Sequence, residues 1–305
     1  MIRTVCVLLV GVLLAGCGGK EPGSTTLTRG KLRLGCDEAV GPVMEKQVAE
    51  FRSQYPDADV LVATGQARAI VADFASDSVR VIALARAFNG EERDALARAK
   101  VDFQEFEVAR TAVAVVAHPD VPVQRLRVGE LDTLFAGAQT RWPGPKHLPV
   151  RLAVTGINAS VTEVFRTSVL KSGGYDPGAD TFDSEQEVID FVSRTPGAIG
   201  IVGLNWFKGN DARVTLIAVA SAALRPDSTT APGEYYSPAQ AYVYLGYYPI
   251  TAPVYIYSRE VNRDIGLGFV SFVASAAGQK VFQSSGLVPM TMPVRLVQLT
   301  SQQVQ

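Results

Sequence analysis

Covalent catalysis needs a nucleophile beside a base, or metal ligands at a working spacing, and this chain offers neither. Its two histidines, His118 and His147, lie far apart in sequence, and neither falls in a metal-ligand spacing. No Gly-x-Ser-x-Gly elbow occurs, so the usual serine-hydrolase arrangement is missing. Cys36 has Asp37 beside it and no neighbouring His, which suits a buried, inert thiol. Ser160 and Ser184 each open a Ser-x-x-Glu sequence, with Glu163 and Glu187, the pattern of a helix capping box. Tyr235, Tyr236, Tyr242, Tyr244, Tyr247 and Tyr248 cluster, and strand or hinge packing accounts for them ahead of sugar stacking. The expectation is a chain that is not an enzyme and that holds no metal and no cofactor.

Such a chain works by the placement of its elements. From Lys31 onward strands and helices alternate: strands at 31–36, 59–63 and 79–84, with helices at 42–55, 68–75 and 91–99 between and after them. The first helix places Met44, Val48, Phe51 and Tyr55 at helical spacing, and Pro42 suits its first turn. A Val-rich run at 110–117 opens a second unit. It continues with helices at 128–135, 161–169 and 184–191 and strands at 149–154 and 198–202. Residues 224–234 read as a loop, 247–257 as a long strand, and 265–276 and 279–283 as helices stopped by Gly286. This alternation predicts an α/β body around mostly parallel sheets.

Charge is nearly balanced, with 29 basic against 30 acidic residues. No basic excess exists to neutralise a phosphate backbone, so nucleic acid is excluded as a partner. The N-terminus carries Arg3 and then an apolar run from Val5 to Leu14, too short to span a bilayer. It ends in Leu14-Ala15-Gly16-Cys17, which resembles the bacterial lipobox. That resemblance implies a signal peptide over 1–16, cleavage before Cys17 and acylation of that cysteine. Several acyl chains give firm anchoring where one gives little. Residues 17–30, polar and rich in Gly, Ser and Thr, form the lipidated cysteine and a tether of about 20 Å. Cys6 leaves with the signal, so the exported chain has no partner for an internal disulfide.

Four further stretches stand out: Leu134-Phe135-Ala136-Gly137 with Trp142, Pro196-Gly197-Ala198-Ile199-Gly200, Tyr248-Pro249-Ile250, and Gly278-Gln279 with Gly286-Leu287-Val288-Pro289. In this order they resemble one family, the phosphate-binding lipoproteins and periplasmic binding proteins of ATP-driven importers. The resemblance covers about residues 31–294 and implies a two-lobed α/β fold of type II-like topology with two crossover hinge strands. Lobe one is then about 31–108 plus 255–300 and lobe two about 109–254, with a tail at 301–305. The lobes are expected to close on solute like a hinged clamp.

The resemblance also implies three ligand loops. They are Asp37-Glu38-Ala39-Val40-Gly41-Pro42, with Glu38, Ala39 and Val40 as its ligand residues; Thr64-Gly65-Gln66; and Asn158-Ala159-Ser160-Val161-Thr162. Each opens a helix, where first-turn amides are unsatisfied and the helix dipole welcomes an anion. The family's Ser-Asp pair aligns with Ala85-Arg86, and its binding Arg aligns with Thr155. The cleft thereby loses one carboxylate and one guanidinium and gains the guanidinium of Arg86. Arg86 forks two oxygens of a tetrahedral anion, or it pairs with Glu91 or Glu92. Ser160 either contacts ligand or only caps its helix. Glu38 repels an anion unless it turns away or pairs with Arg86. As a ligand group, Arg86 predicts that Arg86→Ala weakens anion binding by about 1.5–3 kcal/mol with the fold intact. The implied partners are inorganic phosphate or a related oxyanion and ABC permease subunits. The protein is expected to be an exported, membrane-anchored monomer.

Overall fold

Lys31 and Arg33 face water while Leu32 and Leu34 are buried, and that alternation starts the first strand, β1 (Gly30–Asp37). The computed structural model describes residues 25–145, 147–171, 174–208, 210–220, 233–260 and 264–291. The expected signal, acylated Cys17, tail and most of the 224–234 loop lie outside the described residues. After β1 come α1 (Gly41–Gln54), β2 (Ala58–Gly65), α2 (Ala67–Ala75), β3 (Val81–Leu84) and α3 (Gly90–Arg98). The long strand β4 (Gln104–Ala117) follows, then β5 (Arg125–Arg127), α4 (Val128–Phe135), β6 (Arg151–Thr155), α5 (Ser160–Val169), β7 (Asp180–Phe182) and α6 (Glu185–Arg194). Next are β8 (Ala198–Gly203), α7 (Leu204–Lys208), β9 (Thr215–Leu216), β10 (Ala218–Ala220) and α8 (Gln240–Tyr244). The chain returns through β11 (Thr251–Ser258), α9 (Ile265–Ala274), α10 (Ala276–Ser284) and β12 (Val288–Pro289).

The strands pair in the order β2-β1-β3-β11-β4-β8-β6-β7, with β12 and β9 also on β4. Strand β4 is the seam. Its first part lies antiparallel to β11, Ala109 opposite Val254, and its last part antiparallel to β8, Val115 opposite Ile201. One half of the molecule therefore gathers around β1–β3 and the other around β6–β8, both α/β and both hung on the same strand. Val81–Leu84 of β3 is buried throughout, as is Ala198–Gly203 of β8, which accounts for their apolar runs. The β1–β3 half packs Phe51, Phe269, Phe272 and Phe282 against Leu34 and Met44. The other packs Phe135, Trp142, Phe165 and Tyr248.

The family-like stretches hold this frame. Trp142 donates its Nε1 hydrogen to the Gly197 carbonyl at 2.7 Å, and Tyr248 its hydroxyl to the Val113 carbonyl at 2.7 Å. Gln279 reaches the carbonyls of Val108 and Val273 at 3.1 and 2.9 Å. Gly197 has φ +85°, and a Cβ there would stand 2.2 Å from the Pro149 carbonyl oxygen. Gly197→Ala adds that collision to the cost of a left-handed backbone. It is expected to lower stability by more than about 2 kcal/mol, read by urea denaturation.

Several boundaries differ from expectation. β4 begins at Gln104, before the Val-rich run, because alternating polar residues pair with β11 at the edge of the core. The strand expected from Tyr247 starts at Thr251, since Tyr247 and Tyr248 donate back to the Tyr242 carbonyl in a turn after α8. The rings of the tyrosines at 236, 242 and 247 pack against one another at tilted angles, with centroids 4.9–6.4 Å apart.

Candidate functional site

Three segments expected at the cleft meet. Glu38 donates its amide to the Gly65 carbonyl at 3.1 Å, and Arg68 donates its amide to the Asn158 carbonyl at 3.3 Å. The Gln66 amide group lies against Gly156, 3.1 Å from where a Cβ would sit. The meeting point is occupied by the side chain of Asp37, which opens the first expected loop but is not among the expected ligand residues. It closes β1 and is 1 % exposed. Its Oδ2 accepts the Ala85 amide at 2.6 Å and the Ser160 hydroxyl at 2.5 Å, and its Oδ1 accepts the Val40 amide at 3.1 Å. Two of these donors come from the β1–β3 half and one from the first residue of α5 across the cleft. Burial pushes the Asp37 carboxyl up, while Ser160, the Ala85 amide, Arg86 and the Val40 amide draw it partly back.

Ser160 thus does not cap α5. The N-cap is Ala159, and the Ser160 hydroxyl points to Asp37 instead. Nor does Glu163 complete a box with Ser160: it takes the Arg86 Nε at 2.9 Å and the Asn89 amide nitrogen at 3.0 Å. Arg86 is 5 % exposed, and its two terminal nitrogens fork onto Glu92 at 2.7 and 2.6 Å. The fork expected for a tetrahedral anion is therefore filled by carboxylates of this chain. Burial alone would lower this guanidinium, but Glu92, then Glu163 and Asp37, hold it above its ordinary value. Glu92 also accepts the Asn89 amide and closes a capping box on α3, which explains its fixed position.

Glu38 turns away from Arg86. Its Oε1 accepts the Glu185 amide at 3.0 Å, at the start of α6, and its own carbonyl accepts the Trp206 indole hydrogen at 3.0 Å. An acid at a helix N-terminus offsets the positive end of the dipole. Burial raises the Glu38 carboxyl even so. Glu185 itself is buried and accepts the Gly203 amide; burial first, then Glu38 and Asp37, push it well above the ordinary range.

The remaining expected residues scatter. Val40 and Ala39 belong to the core of the β1–β3 half and Val161 to that of the other, and of the three it is the Val40 amide that reaches Asp37. Thr162 donates to the Thr155 carbonyl at 3.0 Å, within its own half. Thr64 is exposed and leans on Gly41. Gly65 and Asn158 contribute carbonyls to the meeting of the loops rather than donors. Beside Arg86 a cavity of about 760 Å³ opens between the halves, lined by Arg68, Asn89, Asn158, Glu163, Arg166 and Tyr175 among others. Glu92 as a partner of Arg86 is one of the two expected outcomes. Asp37 is expected only as part of a loop and Glu163 only as a capping partner, and neither Glu185 nor Trp206 is expected at the site. The available signal was an acidic residue ending an apolar strand and acids in the first turns of three helices.

A two-lobed α/β frame with helix starts converging on one buried anionic group is a binding architecture, and its family can be tested directly. The family model described as a PBP superfamily domain matches residues 22–277. The chain belongs to the PBP superfamily. Among PBP relatives, Protein SphX of Synechococcus elongatus is 24% identical over 262 residues, covering 82% of this chain and 75% of that protein. The phosphate-binding protein PstS of Staphylococcus saprophyticus is 23% identical over 267 residues, covering 86% and 80%. A Clostridium perfringens structure assigned to phosphate ABC transport and solved with bound phosphate superposes with a TM-score of 0.72. It has 18% identity and covers 85% of this chain and 99% of that one. The high-affinity periplasmic phosphate-binding protein PfluDING, also with bound phosphate, gives a TM-score of 0.66 at 14% identity, covering 85% and 90%. These superpositions establish the PBP fold. What the site of this member does follows from its own residues. Main-chain amides of Val40 and Ala85, with the Ser160 hydroxyl, converge on one negative oxygen-bearing group, the carboxylate of Asp37, and make up the seat of that group.

Proposed function

We propose that this protein is an extracytoplasmic solute-binding protein that captures an inorganic oxyanion, phosphate first, between its lobes and presents it to an ABC importer. The observation that carries this reading is the seat itself, where donors from both lobes converge on a single anionic group. Relatives named for phosphate binding support the choice of phosphate. The lipobox-like Leu14–Cys17 supports attachment to a membrane through an acylated Cys17, with the body in the periplasm or outside the cell. Lobes near 31–108 plus 255–300 and 109–254, hinged where β4 and β11 pair, complete the proposal.

Isothermal titration with phosphate, sulfate and molybdate tests it. Saturable one-to-one binding of phosphate is expected, and heat-silent titrations across the panel would refute it. Silence would leave a sensory or scaffold lipoprotein, a reading favoured by one observation: Asp37 already uses the seat's donors. For the anchor, Cys17→Ala should move the protein from the membrane fraction to the soluble one. Retention on the membrane would remove the lipid from the account.

A further inference from the structure

We propose that Asp37 is an internal ligand of the anion seat: its carboxylate holds the lobes together without solute, and a solute enters by displacing it. This rests on reading the seat as an anion site. The Asp37 Oδ2 takes one hydrogen bond from each side of the cleft, from the Ala85 amide at 2.6 Å and the Ser160 hydroxyl at 2.5 Å. Its Oδ1 takes the Val40 amide at the start of α1. A carboxylate and a mineral oxyanion want the same donors, so both cannot hold them at once. Asp37 is tethered to the end of β1, so its local concentration far exceeds that of a free solute.

Other contacts close the lobes in the same way. Glu38 accepts the Glu185 amide, Trp206 donates to the Glu38 carbonyl, and Glu163 joins Arg86 and Asn89. None of these needs a small molecule. Arg86 favours the Asp37 carboxylate, and Glu38, where ionised, opposes an anion placed beside it. A solute that displaced Asp37 would still meet Glu38. Asp37 is thus a specificity-setting residue: it sets how strongly an anion must bind to open the seat.

Small-angle scattering and phosphate titration on the exported chain test this, with wild type, Asp37→Ala and Asp37→Asn. Without phosphate, wild type should already be compact, and Asp37→Ala should show a larger radius of gyration. Phosphate should bind Asp37→Ala at least tenfold more tightly than wild type, with Asp37→Asn between them. A lower affinity in Asp37→Ala, or a radius unchanged from wild type, overturns the proposal. If phosphate binds none of the three but the Asp37→Ala radius still grows, the internal ligand stands and the oxyanion reading fails. Should Asp37→Ala not fold, Ser160→Ala cuts the same bond from the other lobe. It must then show the larger radius without phosphate, and a compact Ser160→Ala overturns the proposal.

Discussion

Arg86→Ala should destabilise the protein by about 3–5 kcal/mol, the range for removing one member of a buried ion pair. The Arg86 side chain is 6% exposed and Glu92 9%, so little solvent reaches the pair. Removing the guanidinium strands two carboxylates, Glu92 and Glu163, which keep Asn89 as their hydrogen-bond donor among the described residues. The sequence leaves two outcomes open, weaker anion binding on an intact fold or loss of a pair with Glu91 or Glu92, and the pairing with Glu92 selects the second. Urea denaturation separates the two. Arg86→Met combined with Glu92→Gln should recover most of the loss, since it removes charge along with partner. Arg86→Ala as stable as wild type but poorer at binding anions would return Arg86 to the ligand.

Raising the pH should weaken the protein, and Glu185→Gln should remove much of that weakness. Burial holds the Glu185 carboxyl well above its unfolded value, and Glu38 and Asp37 add to the effect. A group raised in the folded state contributes stability that is complete below its unfolded value, about 4.3 for Glu, and lost as pH rises through the folded value. Glu38 and Asp37 are raised too, so all three act in one direction. Glu260, pushed to about 7 by burial and by Asp264, acts in that direction as well, so Glu185→Gln flattens the profile without abolishing it. The slope for one proton is at most about 1.4 kcal/mol per pH unit. Above about pH 5 the Glu185→Gln variant should gain on wild type as pH rises, by no more than about 1.4 kcal/mol per pH unit. At pH 4 the two should coincide. Urea midpoints across that range measure it, and a wild-type midpoint that is flat or rises with pH contradicts the assignment.

The frame was legible because it is written in local patterns. Leu32 and Leu34 alternating with charged neighbours, the Val81–Leu84 run and the Ser184 cap each follow from short-range chemistry. Tight spots such as Gly197 and Gly286, both at φ +85°, and the Trp142 anchor also stand out as residue types. The site was legible only in outline. Sequence placed three loops at one cleft, and backbone hydrogen bonds join Glu38 to Gly65 and Arg68 to Asn158, but side-chain aim depends on partners far along the chain. Ser160 meets Asp37 across 123 positions, and Glu38 meets Glu185 across 147. No periodicity carries that information. A Ser-x-x-Glu sequence therefore produced a cap at Ser184 and, at Ser160, a bond to the opposite lobe.

Amide nuclear magnetic resonance of the exported, isotopically labelled chain reaches the seat most directly. As phosphate is added, the Val40 and Ala85 amide signals should shift together and saturate, because their hydrogens pass from the Asp37 carboxylate to the solute. Saturable phosphate binding that leaves both signals in place would mean that an anion is held elsewhere, and that the meeting point of the lobes is only a structural joint.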